Sequence, residues 1–171
     1  MSNVAPSSLG AFALVLLGGC AQAPTGELEL ANQRVKAARS VDAAIFAPEH
    51  LNQADLSLAT ARSLVEDRGY RAAIHSASEA VLHADDAFNV STIERSIAVR
   101  RVERCLNELE GLMAIARSRG AASEAPDELA AFVERHDAVK AVADSGDLLT
   151  ALEQGRHLEP ELLAFEQRFR D

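Results

Sequence analysis

From Ala77 to Ala116 the chain keeps one register of steps of three and four: Ala77, Val81, Ala84, Phe88, Ser91, Arg95, Ala98, Val102, Cys105, Leu109, Leu112 and Ala116. A strand would alternate with period two, so this spacing predicts one long helix with a seam of the coiled-coil type. Ser91 and Arg95 are the weak points of the seam, and a bend or local opening is expected there. Asn89 to Thr92 admits a second reading, in which Ser91 and Glu94 form a capping box that starts a new helix. The spacing favours continuity.

Other segments show the same periodicity. A first helix is expected from Glu27 to Phe46, with Leu28, Ala31, Val35, Ala38 and Ile45 on its apolar side. Pro48 disfavours helical geometry at Ala47 and suits the first turn of a second helix, where its missing N–H costs nothing. Leu51, Ala54, Leu58, Ala61 and Val65 form the stripe of that helix, and Gly69 is expected as its left-handed cap. The third, long helix begins near Tyr70, with Ile74, Ala77, Val81, Ala84 and Phe88 facing inward. Residues 119–126 read as a linker, with Gly120, Ser123 and Pro126 in a run of small residues. A helix over Asp127–Ala143 should present Leu129, Phe132, His136, Val139 and Val142. One or two short helices complete the chain, with Asp147 as a cap and Gly155 as a weak point.

The composition agrees with helices. There is no Trp and only one Tyr, and a core of Ala and Leu suits closely approaching helices better than a β-sandwich. The net charge of −9 falls after residue 19, because the first 19 residues carry no charged side chain. An acidic body argues against nucleic acid, which needs a basic surface. Two cysteines are too few for a disulfide framework.

Leu9 to Leu17 is an apolar run about half as long as the roughly 20 residues that span a bilayer, and it fits the core of a signal peptide. Leu17-Gly18-Gly19-Cys20 resembles the lipobox of bacterial lipoproteins. The resemblance implies cleavage before Cys20 and attachment of lipid to its thiol and new amine, more than one chain being needed for stable anchoring. Ala21, which is not Asp, favours the outer membrane by the sorting rule of such proteins. One feature departs from the pattern: Met1 to Ser8 contains no Lys or Arg, where signal peptides begin positively charged. The implied organisation is a signal peptide at 1–19, a lipidated tether at 20–26, a helical bundle at 27–118, a linker at 119–126 and a C-terminal helical segment at 127–171.

Leu64, Gly69, Tyr70, Ala73, Ala77 and Ala80 fall where a tetratricopeptide-type hairpin uses a large residue, a Gly-aromatic corner and small residues. One such unit is not an array, so neighbouring helices must complete the core. Together with the lipobox, Ala47-Pro48-Glu49 before Leu51, and Gly69-Tyr70, this hairpin resembles a family of uncharacterised bacterial envelope lipoproteins, over roughly residues 20–117. Some members carry an OmpA-like peptidoglycan-binding domain after the helices, which is not expected here. The resemblance implies location and fold more than activity.

Several side chains are candidates for chemistry. His75, Glu79 and His83 repeat every four residues on one helix face, but His75 and His83 stand roughly 12 Å apart, too far for one ion with bonds of about 2 Å. Glu79, His83 and Asp86 form at most a partial site, and a solvated face is favoured. Cys105 lies on the apolar seam, where it is expected as a buried small hydrophobe. Arg95, Arg100, Arg101 and Arg104 form a basic island in an acidic chain, with Glu94, Glu103, Glu108 and Glu110 nearby as helix-spaced partners. A solvated face paired internally with those glutamates is favoured, and the alternative is a partner surface for anionic lipid or an acidic partner such as a second copy's helix. There is no phosphate loop, His-Glu-x-x-His or nucleophile elbow.

The expectation is therefore an all-α antiparallel bundle with one tetratricopeptide-like hairpin, a long third helix and shorter C-terminal helices. Its expected role is a non-enzymatic, membrane-anchored periplasmic scaffold or adaptor, without metal or cofactor, binding a protein partner or itself. A small-molecule or metal-binding bundle is the alternative.

Overall fold

A computed structural model describes residues 23–170, and within them the chain is all α-helical. Cys20 and the apolar run before it lie outside the described residues. The helices are α1 (Thr25–Arg39), α2 (Ala43–Phe46), α3 (Pro48–Glu66), α4 (Tyr70–Ser118), α5 (Ala121–Glu124), α6 (Pro126–Asp144) and α7 (Leu148–Gln167). No helix among the described residues is long and apolar enough to cross a membrane.

The long helix is continuous over 49 residues, with no break at Asn89–Thr92. Ser91 is fully buried rather than a local opening, because its hydroxyl donates to the Val41 carbonyl of the turn between α1 and α2. That turn is itself a departure from expectation. The first helix stops at Arg39, the chain turns through Ser40–Asp42, and Asp42 takes a left-handed conformation at φ 61° before α2 begins. Asp is among the few residues that tolerate this region.

α1 and α4 run parallel, with α3 antiparallel to both. Arg39 meets Asp55 at 2.7 Å and Arg34 meets Asp85 at 3.4 Å. Where these three helices meet, the core is built largely of alanine: Ala31 and Ala38 from α1, Ala54 and Ala61 from α3, and Ala73, Ala77, Ala80, Ala84 and Ala87 from α4 are buried. The expected inward face of α4 is corrected accordingly, since Ile74 and Phe88 stay exposed at 41% and 38%. Methyl side chains let the helix axes approach closely, with Val35, Leu51 and Leu58 as the larger buried residues among them.

Beyond α4 the arrangement repeats. Ala43-Ala44 and Ala47-Pro48 are matched 78 positions on by Ala121-Ala122 and Ala125-Pro126, and the helix starts Pro48 and Tyr70 by Pro126 and Leu148. The left-handed residues Asp42 and Arg68 are matched by Gly120 and Gly146 at the same interval. Buried residues correspond as well: Ala31 with Leu109, Val35 with Met113, Leu51 with Leu129, Ala61 with Val139, Ala80 with Leu158 and Ala84 with Leu162. The described residues therefore form two copies of one unit of three long helices and one short helix. α4 is the third long helix of the first copy and the first long helix of the second. This period exceeds the 34 or so residues of tetratricopeptide repeats.

Residues 119–126 are thus not a linker between domains. They are the second unit's version of the turn and short helix at 40–48, and Ala121 is fully buried. The C-terminal segment is broken only at Ser145–Asp147, between α6 and α7, and not at Gly155. α7 runs unbroken through Gly155 and through Pro160, because Leu158, Leu162 and Phe165 all bury on one core face while Pro160 faces solvent. Its start is capped as expected, the Asp147 carboxylate accepting from the Thr150 amide at 3.2 Å. Its end is held by Glu166, buried and contacted by Arg119 at the end of α4 and by Arg170.

The α3–α4 corner corrects another expectation. Gly69 is not the left-handed cap; Arg68 is, at φ 59°. The Gly69 amide donates to the Leu64 carbonyl at 2.8 Å and the Arg68 amide to Val65 at 3.0 Å, which is a Schellman motif. Gly69 sits where an added Cβ would stand 3.4 Å from that Leu64 oxygen.

Candidate functional site

The two units pack on the same side of α4. At about 100° per residue, the buried positions from Ala73 to Ser91 and from Ala98 to Ala116 lie within roughly 50° of one direction. Between the two sets, residues 92–97 form a joint that neither unit fully covers. The α1–α2 turn ends the first unit at one side of the joint, and the second unit's core begins at Ala98.

A cleft of about 610 Å³ opens at this joint. Val41 and Val99 give it an apolar part, while Asp42, Arg95, Arg100 and Glu103 give it charge. A second, more open depression of about 460 Å³ continues along α4 past Arg100 and Glu103 to Arg104 and Asn107. Three of the four arginines singled out by sequence therefore border one continuous strip, and Arg101, also exposed, lies on the same stretch of helix.

Their pairing differs from the expectation of helix-spaced glutamates. Arg95 reaches across the joint to Asp42 at 3.2 Å. Both groups are about half exposed, so the pair contributes little stability, but it holds the wall of the cleft. Among the described residues, Arg100, Arg101 and Arg104 have no carboxylate within ion-pair distance. Three adjacent guanidinium groups are left as open, bidentate-capable donors.

The histidines fall into different settings. His75 is exposed and meets Glu79 at 3.4 Å. Glu79 does not join His83 and Asp86; His50 of α3 takes that place. His136 is buried on the stripe where the sequence put it, with Nδ1 3.2 Å from Asp137 and Nε2 3.6 Å from Glu110. Cys105 is half-buried between α4 and α7, and burial pushes its thiol pKa up, helped by the negative charges of Glu159 and Glu108. That makes it a poor nucleophile at neutral pH.

The chain matches no family model, no curated protein and no solved structure.

Proposed function

We propose that this protein is a non-enzymatic adaptor or scaffold of the bacterial cell envelope, lipid-anchored through Cys20, facing the periplasm from the outer membrane. The lipobox-like Leu17-Gly18-Gly19-Cys20 supports the anchor, and the wider resemblance to envelope lipoproteins supports the setting. The single observation that carries the binding role is the row Arg100, Arg101 and Arg104, unpaired beside the joint of an otherwise acidic chain. An acidic helix or extended segment of a partner protein, laid along α4, would supply the missing carboxylates and cover Val41 and Val99. Groove binding by a helix or strand reuses ordinary packing and needs no catalytic group.

The two parts are tested separately. Mass spectrometry of the mature N-terminal peptide should find Cys20 acylated; an intact chain beginning at Met1 and free of lipid would overturn the anchor. A photo-crosslinking residue at Ser96, beside the cleft, should give one discrete adduct in cells, lost on Arg100→Glu with Arg104→Glu. An adduct unchanged by that double substitution, or no adduct at all, would overturn the binding reading.

A further inference from the structure

Away from the cleft, His50, His83 and Asp86 meet across the α3–α4 interface. His50 is the third residue of α3, and its Nδ1 is buried with no hydrogen-bond partner. His83 and Asp86 are three positions apart on α4, which puts them side by side on one helix face. One donor atom from each of the three residues lies within 4.8 Å of the other two. The histidines are half-buried, and Asp86 is exposed. Among the described residues Asp86 has no ion-pair partner, in contrast to its neighbour Asp85, which pairs with Arg34.

The internal repeat supplies a second view of the same place. Seventy-eight positions on, His50, His83 and Asp86 become Glu128, Glu161 and Ala164. There each acid is neutralised across α6 and α7 by an arginine, Glu128 by Arg168 at 2.9 Å and Glu161 by Arg135 at 2.6 Å. The positions of those arginines in the first unit are Val90 and Ser57. The second unit thus ties this edge with built-in cations, and the first offers donors without one.

We propose that His50, His83 and Asp86 bind a divalent transition-metal ion of the zinc class, which ties the start of α3 to the middle of α4. Two imidazole nitrogens and one carboxylate oxygen form a borderline donor set that suits Zn²⁺ and not Ca²⁺ or Mg²⁺, which take oxygen. Tetrahedral zinc with bonds of about 2.1 Å sets its donors roughly 3.4 Å apart. Closing to that distance takes a small rotation, which the exposed Asp86 is free to make. A water on the open side completes the shell. Ligation through Nδ1 gives the orphaned atom of His50 its partner.

The test is a calorimetric titration of Zn²⁺ into the full chain carrying Cys20→Ser, which removes a competing thiol. One ion per chain is expected, with affinity reduced about tenfold or more by His50→Ala and by Asp86→Asn. His75→Ala and His157→Ala, exposed histidines elsewhere, should change nothing. Co²⁺ should give the visible absorption of a tetrahedral site in the parent and not in His50→Ala. No stoichiometric Zn²⁺ binding, or binding that survives both His50→Ala and Asp86→Asn, overturns the proposal. Asp86 lies at the surface, so Asp86→Asn keeps the test readable should His50→Ala fold poorly.

Discussion

Single side chains here are set by what the neighbouring helix leaves room for. Gly155 faces Cys105, and a Cβ built on it would stand 2.5 Å from the Cys105 sulfur. Gly155→Ala gains up to about 1 kcal/mol of helix propensity but forces an overpacked contact that costs about 1–3 kcal/mol. A net loss of about 1 kcal/mol in urea unfolding is expected. In a Cys105→Ala background the clash is gone and the same substitution should stabilise, so the sign reversal identifies the contact. The Cys105 thiol follows the same geometry. Its folded pKa is raised by burial and by Glu159 and Glu108, so the folded state favours the protonated thiol. That contribution is fully present below the unfolded pKa and is lost as pH rises through the folded one. Alkylation of the native protein should accordingly lag behind that of the unfolded chain, most clearly near pH 8–9 where a free thiol ionises. Arg68 shows the opposite case, a side chain where glycine would serve better. It holds φ 59°, and its counterpart is Gly146 at φ 95°. Arg68→Gly should stabilise by about 0.5–1 kcal/mol, the relief of left-handed strain exceeding the entropy lost by glycine.

Between elements, the buried contact of the α1–α2 turn with α4 is the Ser91 hydroxyl on the Val41 carbonyl, beside the exposed Arg95–Asp42 pair. Ser91→Ala leaves a carbonyl without its partner beneath the turn, and a loss of about 1–2 kcal/mol is expected in chemical unfolding. The sequence made the helices themselves legible, because steps of three and four survive even where Ser or Arg occupies the seam. Pro48 and Asp147 likewise announced their helix starts. The inward face was harder to read: Ile74 and Phe88 outweigh alanine in hydropathy, yet the close approach of three helices selects the alanines. The repeat was hidden for a related reason, since the first unit fills its core with Ala80 and Ala84 where the second uses Leu158 and Leu162. Its one plain signal was Ala-Ala-x-x-Ala-Pro, present at residues 43–48 and again at 121–126. The arginine row was readable along a single helix. His50 was not, because its nearness to His83 depends on how the hairpin closes, and no spacing within one helix reports that.

At the scale of the molecule, a shared helix makes the two units mechanically continuous without making them thermodynamically one. Their cores are separate clusters. Besides α4 and the Arg95–Asp42 pair, Phe46 links them: it belongs to α2 of the first unit yet packs against the second core. Its counterpart in the repeat is Glu124, which is exposed, so the aromatic ring belongs to the joint rather than to the unit. Removing it should therefore weaken coupling more than either core. Phe46→Ala is expected to cost about 2 kcal/mol, below the 3–5 of a fully buried phenylalanine because the ring is only partly covered. More specifically, it should separate the protection of the two halves. In native-state hydrogen exchange the slowest amides of α3 and of α7 should report similar opening free energies in the parent chain and different ones in Phe46→Ala, as expected for subunits of stability released from each other. Equal destabilisation of both halves would show instead that α4 alone carries the cooperativity. The joint would then be a passive hinge, and a partner seated on the arginine row could bend the molecule there without unfolding either unit.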